Sequence, residues 1–129
     1  MIKDSQISVV RSFSQEDFDC FAQLSGDANP IHVDVEFSSR ARFGRTVAHG
    51  LLLCSVLKGL IEELAPGSRL TEQSVMFPAP TFANEPMRFA VTVTDSDHAE
   101  GKNSFSCKLE VSRVADKIVT CQGQAEVAL

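Results

Sequence analysis

The sequence contains no tryptophan and no tyrosine, so the protein absorbs little near-ultraviolet light and leaves that window open for assays of small conjugated substrates. No Lys/Arg cluster offsets the excess of seventeen acidic over twelve basic residues, a formal charge of −5. The attraction that drives phosphate-backbone binding is missing, which excludes nucleic acid as a partner. The four cysteines, Cys20, Cys54, Cys107 and Cys121, form no C-x-x-C pair and no Cys/His group at metal-ligand spacing, so no metal site is expected. Most of them stand among apolar neighbours, as reduced core thiols do, and this points to a reducing compartment, the cytoplasm. Long apolar runs are lacking too. Residues 1–10 carry Lys3 and Asp4 and have no signal-peptide core, and the longest apolar segment, 47–57, is interrupted by His49 and Ser55. It is too short to span a bilayer, so no membrane association is expected.

What is present is an ordinary globular composition, 43 % hydrophobic and 22 % charged over 129 residues, enough chain to bury a core without disulfides or metals. One domain, residues 1–129, is expected, with no internal repeat or linker. Residues 6–13 alternate as a strand does. Ser14 precedes Asp17 by three positions in the manner of a capping box, and Phe18, Phe21, Ala22 and Ser25 share one face of a short helix that Gly26 ends. Residues 26–33 read as a polar loop. Asp34 is placed to cap a second short helix, 35–43, with Phe37 and Ala41 as its apolar face and Gly44 as its stop.

The longest periodic segment is 50–65, roughly 24 Å of helix. Leu53, Leu57, Leu60, Ile61 and Leu64 fall on one face, and apolar residues surround the first turns almost completely, which predicts burial on most sides there. Lys58, Glu62 and Glu63 make a wet face further on, before Pro66 and Gly67. Beyond it the period drops to two: Phe89, Val91 and Val93, then Phe105, Cys107, Leu109 and Val111, then Val119, Cys121, Gly123, Ala125 and Val127 alternate with polar residues. These are three half-buried antiparallel strands. Residues 97–103 and the Ala115-Asp116 pair have hairpin-turn composition, and 76–86, with three of the five prolines, forms an edge or an irregular crossover. The pattern predicts an α+β fold, a curled antiparallel sheet around one long helix, whose exposed edges a second copy of the chain would pair or cover.

Two polar constellations interrupt this pattern. The first is Ser25-Gly26-Asp27-Ala28-Asn29-Pro30-Ile31-His32. Its Gly, Asp, Asn and Pro suit plain turn chemistry, yet Asp27 and His32 also bring together a carboxylate and an imidazole, a pair able to move protons near neutral pH. The second, Phe43-Gly44-Arg45-Thr46-Val47-Ala48-His49-Gly50, runs directly into the long helix. The first N–H groups of a helix lack intrahelical acceptors and lie at the positive end of its dipole. A glycine at position 50 lets a carbonyl oxygen approach them, although a plain glycine N-cap explains Gly50 as well. His49 reads equally as a structural histidine.

Taken together, F-x-x-L-S-G-D-x-N-P-I-H-x-D-x-x-F-x-x-x-x-x-F-G-x-x-V-A-H-G-L-L, residues 21–52, resembles the MaoC-like hydratase family, which includes the (R)-specific enoyl-CoA hydratases and related 3-hydroxyacyl-thioester dehydratases. The resemblance extends more weakly to Val75-Met76-Phe77-Pro78-Ala79-Pro80, similar to an F-x-x-P segment of the family, and to the C-terminal strands. It implies a hot-dog fold and a lyase that hydrates trans-2-enoyl-CoA to (R)-3-hydroxyacyl-CoA and catalyses the reverse dehydration. By motif position it implies Asp27 and His32 as a catalytic dyad, the Gly50 N–H as donor to the thioester carbonyl, and Ser25, Asn29 and His49 as supporting residues. It further implies no metal and no organic cofactor, coenzyme A entering only as part of the substrate, and a homodimer. No basic docking patch stands out, which leaves acyl carrier protein as an alternative carrier to coenzyme A.

Counting along the helix from the reacting centre, Leu51, Leu52 and Val56 are expected to line the acyl pocket. The sequence departs from the family in two places: Lys58 stands where many relatives have a helix serine, and Asn84-Glu85 where they have Gly-Asp. Lys58 shares a face with Glu62, so it is expected at the solvent side. Two other readings share the same pocket. One is a hot-dog acyl-thioester hydrolase, against which the D-x4-H pair argues; the other is a non-catalytic acyl-thioester-binding subunit, hinted at by Lys58.

Overall fold

The computed structural model describes residues 2–97 and 103–129. Five strands, β1 (Gln6–Arg11), β2 (Arg69–Met76), β3 (Met87–Asp97), β4 (Ser104–Arg113) and β5 (Val119–Ala128), form one sheet in the order β1-β3-β4-β5-β2, every neighbouring pair antiparallel. Between β1 and β2 lie α1 (Gln15–Ser25), α2 (Pro30–Val33), α3 (Val35–Ser39) and the long α4 (Gly50–Leu64). The apolar stripe of α4, Leu53, Leu57, Leu60 and Ile61, meets the inward residues of the three central strands, among them Phe89, Val91, Phe105, Leu109, Val111 and Val127, in one continuous core. Each such side chain contributes about 1.5–3 kcal/mol by leaving water. A sheet wrapped in this way around one helix is the hot-dog arrangement, and the α+β expectation holds.

Local chemistry accounts for the element ends. Ser14 and Asp17 form the reciprocal capping box at the start of α1, and Gly26 closes it with φ 82°, a left-handed conformation that glycine adopts without steric cost. Phe18 and Ala22 face inward from α1, and Phe13, just past β1, sets its ring edge-on to Phe89 at 6.0 Å.

Several expectations are corrected. The third helix stops at Ser39 instead of residue 43, and its buried side chain is Ser38, while Phe37 is exposed. The chain must turn back there so that the Val47 N–H can reach the Ile31 carbonyl at 2.9 Å and Val47 can bridge to Phe82, and Gly44 supplies the turn with φ 71°. The polar loop 26–33 contains a helical turn, α2, with Pro30 as its first residue, where a missing N–H costs nothing. Leu51, in the first turn of α4, is 68 % exposed, so the helix start is not buried all round.

Strand β2 has no counterpart in the sequence pattern, because an edge strand with both faces largely wet shows no alternation; only Leu70 and Val75 pack against the core. In β5 the alternation slips. A bulge between the pairs Val111↔Cys121 and Ser112↔Val119 leaves Thr120 unpaired in the ladder and turns it inward, fully buried, as bulges re-aim side chains. Of the expected 97–103 turn, residues 98–102 lie outside the described residues. Cys54, Cys107 and Cys121 are buried and Cys20 is exposed, all four free. No helix among the described residues is long and apolar enough to cross a membrane.

Candidate active site

The segment from Ser25 to Ile31 holds itself in shape through side chains that each accept from the backbone two residues on. Ser25 Oγ accepts from the Asp27 N–H (3.1 Å), Asp27 Oδ1 from the Asn29 N–H (3.2 Å) and Asn29 Oδ1 from the Ile31 N–H (3.2 Å). The last of these caps α2, so the S-x-D-x-N spacing is a ladder of local turns that ends in the helical turn carrying His32. Gln15, which sequence reasoning missed, ties that turn down: its Nε2 donates to the His32 carbonyl at 2.8 Å and its Oε1 accepts from Thr46 Oγ1 at 2.6 Å. Its local bond, to Asp19 Oδ1 at 3.1 Å, gives no hint of these two, whose partners are distant in sequence.

His32 is buried, and its Nδ1 lies 2.7 Å from the Val47 carbonyl oxygen. A carbonyl only accepts, so Nδ1 carries the proton and the Nε2 lone pair of the neutral ring is left available. Nε2 faces Asp27 Oδ2 across 3.8 Å, too far for a direct hydrogen bond and a gap that one water can bridge. The Asp27 side chain is 57 % exposed, which leaves the gap open to solvent on that side. His49 sits behind both. Its Nε2 donates to the Asp27 carbonyl at 2.8 Å, and its ring stacks on His32 with centroids 3.8 Å apart and meets Phe21 at 4.9 Å. A single buried ring thus fixes the main chain at Asp27 and the ring plane of His32.

Beside His32 opens a cavity of about 410 Å³, within the range of small-ligand sites. His32 and Gly50 share its wall with Leu53, the strip from Phe77 to Thr81, and Thr120. Gly50 is the first residue of α4 and His49 is its N-cap, with no side-chain cap bond, so the helix end, whose first N–H groups lack intrahelical acceptors, shares the cavity wall with His32, while Asp27 is not among the lining residues. A Cβ at Gly50 would stand 2.6 Å from the Phe77 ring. The missing side chain is therefore needed for Phe77 to lie across the helix end as it does.

The strip opposite α4 is fastened at several points: the Ala48 N–H donates to the Thr81 carbonyl at 2.8 Å, Thr81 Oγ1 to Thr120 Oγ1 at 2.9 Å, and Arg113 Nη2 to the Pro80 carbonyl at 2.6 Å. Arg113 also pairs with Glu85 at 3.0 Å, so the Asn84-Glu85 departure is a clamp on this wall as well as a turn.

Leu51, Leu52 and Val56 are not among the residues that line the cavity. Leu51 points to solvent, and Leu52 and Val56 are partly buried against the core; Leu53 lines the cavity instead. Lys58 lies on the wet face of α4, 3.6 Å from Glu62, as its spacing implies. Asp27, His32 and His49 could offer three metal-ligand atoms within 4.8 Å of one another. His32 Nδ1 and His49 Nε2 are engaged with carbonyls, which leaves each ring one nitrogen, His32 Nε2 and the buried, unpartnered His49 Nδ1. Burial pushes the Cys107 thiol up to about 11, and the neighbouring Cys54 together with burial pushes Cys121 up as well. Cys54 is lowered to about 7 by the Cys121 hydrogen bond, but it does not line the cavity.

The MaoC-like domain model matches residues 3–115. The chain belongs to the MaoC-like family of hydratases and dehydratases. An (R)-specific enoyl-CoA hydratase of Aeromonas caviae is 36 % identical over 86 residues, which are 65 % of this MaoC-like chain and 64 % of that enzyme; the match thus spans a little under two thirds of the relative. A mitochondrial 3-hydroxyacyl-[acyl-carrier-protein] dehydratase of Arabidopsis thaliana is 27 % identical over 119 residues, 92 % of this chain and 72 % of that protein. Among solved structures, an (R)-hydratase from A. caviae involved in PHA biosynthesis superposes with a TM-score of 0.93 at 27 % identity, covering 100 % of this chain and 97 % of that one.

Proposed function

We propose that this MaoC-like protein hydrates trans-2-enoyl-CoA thioesters to (R)-3-hydroxyacyl-CoA and catalyses the reverse dehydration. The observation that carries the reading is the 3.8 Å gap between Asp27 Oδ2 and His32 Nε2, set beside the free N-terminus of α4. In hydration, a water held in that gap loses a proton to the Asp27–His32 pair as its oxygen bonds to C3 of the enoyl group. The electrons of the double bond move towards the thioester carbonyl. Negative charge developing on that oxygen is met by the Gly50 N–H and the helix dipole, and such a donor contributes about 3 to 4 kcal/mol in other enzymes. The protonated pair then delivers a proton to C2, so that one water supplies both the hydroxyl and the hydrogen. The two groups act as one coupled titrating unit. Ser25, Asn29 and His49 hold the unit in place, and the cycle uses no metal and no organic cofactor.

The test is a near-ultraviolet assay with purified protein and crotonyl-CoA. Hydration removes the enoyl absorbance and yields the (R)-3-hydroxy product, whereas a thioesterase releases free thiol and a binding module changes neither signal. Free thiol released in step with the fall in absorbance, with no 3-hydroxyacyl thioester formed, would overturn the reading.

A homodimer is part of the proposal. Ile31, Phe43 and Phe77 line the cavity while remaining exposed, and Leu51 and Met76 are exposed as well. An apolar rim of this kind, with open sheet edges at β1 and β2, is the kind of surface that an association covers. Light scattering is expected to give twice the monomer mass at micromolar concentration. A stable, fully active monomer would contradict it.

A further inference from the structure

Arg40, Arg42 and Arg45 are three of the twelve basic residues of an acidic chain, all within six positions. Spread among Ala, Phe and Gly, they do not read as a basic patch in the sequence. The turn that ends α3 and returns the chain to Val47 brings one of them, Arg42, to the wall of the cavity beside Phe43. The other two are engaged. Arg40 pairs with Glu36 at 3.4 Å, and Arg45 donates to the Ala83 carbonyl at 3.1 Å and lies 4.4 Å over the Phe82 ring. Arg42 rests 5.2 Å over Phe43, and among the described residues no carboxylate pairs with it. Phe43 is partly exposed. The cavity that holds His32 and Gly50 thus carries, on an otherwise largely apolar wall, an uncommitted guanidinium at its solvent side.

We propose that Arg42 is a specificity-determining residue that binds a phosphate group of the substrate's coenzyme A carrier. The proposal rests on the thioester reading above. A guanidinium presents a planar fork of donors matched to phosphate oxygens and holds its charge at any physiological pH. A thioester whose carbonyl sits at Gly50 must lead its carrier arm out of the cavity to solvent, and coenzyme A ends that arm in several phosphates. One arginine, with Arg40 close by in an exposed ion pair that costs little to break, suffices for a small polyanion. A protein carrier of acidic character would have to dock against a chain whose formal net charge is −5, with this short stretch of cations to meet.

The experiment measures binding, so that it stands apart from turnover. Butyryl-CoA has no double bond to hydrate, and butyryl-N-acetylcysteamine carries the same acyl thioester without phosphate; both are titrated calorimetrically into the full chain and into Arg42→Gln. The expected result is that the preference for the coenzyme A thioester over the phosphate-free thioester falls about tenfold in the variant. The affinity of the unaltered protein for butyryl-CoA should also weaken with added salt more steeply than that of Arg42→Gln. Equal losses for both thioesters would mean that Arg42 acts by packing and overturn the proposal, as would no loss for either or no binding of butyryl-CoA. Tighter binding of a butyryl-acyl carrier protein than of butyryl-CoA, abolished in Arg42→Gln, would overturn the choice of carrier. A phosphate-dependent preference in a protein that fails to hydrate crotonyl-CoA would leave Arg42's role standing while removing the hydratase reading.

Discussion

Asp27→Asn and His32→Gln are each expected to lower the rate of crotonyl-CoA hydration at least ~10²-fold, the lower end for a positioned acid or base. The substitutions separate proton chemistry from architecture. An Asn at position 27 still offers a side-chain oxygen to the Asn29 N–H, the bond that Asp27 Oδ1 now accepts, so the ladder from Ser25 to Ile31 survives. A Gln at position 32 still has an amide to donate to the Val47 carbonyl, where His32 Nδ1 now donates. Neither amide can take up a proton from water and return it to carbon. The check is the initial rate at saturating substrate, with circular dichroism showing the native fold. A folded variant that keeps more than half of the activity of the unaltered protein shows that the assignment of the dyad is wrong. His49 offers an internal comparison, since it bonds the Asp27 carbonyl and stacks on the His32 ring: its loss should act through their placement.

The parts of this site that were legible in the sequence are those whose contacts are local. The S-x-D-x-N ladder spans two residues at each step, and the D-x4-H pair and the H-G start of α4 lie within single segments, so spacing alone limits their geometry. The His49 bond to the Asp27 carbonyl, the Gln15 bond to the His32 carbonyl and the Phe77 ring against Gly50 join separate segments, and no periodicity encodes them. The acyl-pocket expectation went astray for a related reason. Counting 1.5 Å per residue along α4 gives depth but not direction, and each step also turns by about 100°, so Leu51 swings to solvent while Leu53 comes round to the cavity. Strand β2 was hidden because its order derives from backbone pairing with β5, to which side-chain alternation contributes nothing. Thr120 was hidden by a bulge that breaks the two-residue period of β5.

The β2–β5 pairing carries the second large expected effect. Gly123 lies opposite Val75 of β2 and Leu109 of β4, and a Cβ built on it would fall 1.9 Å from the Ser74 carbonyl oxygen and 2.8 Å from the Val75 Cα. Those are backbone atoms, which cannot turn aside as a side chain can, so Gly123→Ala has to part β2 from β5. A glycine inside a strand commonly marks such an approach. Overpacking of this kind costs typically about 1–3 kcal/mol, occasionally more, and β2 has few resources to resist it, since only Leu70 and Val75 anchor it to the core. At about 3 kcal/mol the melting temperature should fall roughly 10 °C for a chain of this size. Function should follow, because β2 leads straight into the strip from Phe77 to Thr81 that walls the cavity, and a displaced Phe77 uncovers Gly50. Hydration by the still-folded variant at 25 °C is therefore expected to show a raised KM. Gly59→Ala provides the opposite sign: Gly59 lies on the exposed side of α4, where a Cβ meets nothing within 4 Å, and the substitution should stabilise by about 0.5–1 kcal/mol through helix propensity alone. Thermal melts followed by circular dichroism decide both. A Gly123→Ala protein that melts within about 2 °C of the unaltered one would show that β2 and β5 do not approach as closely as their backbones stand here.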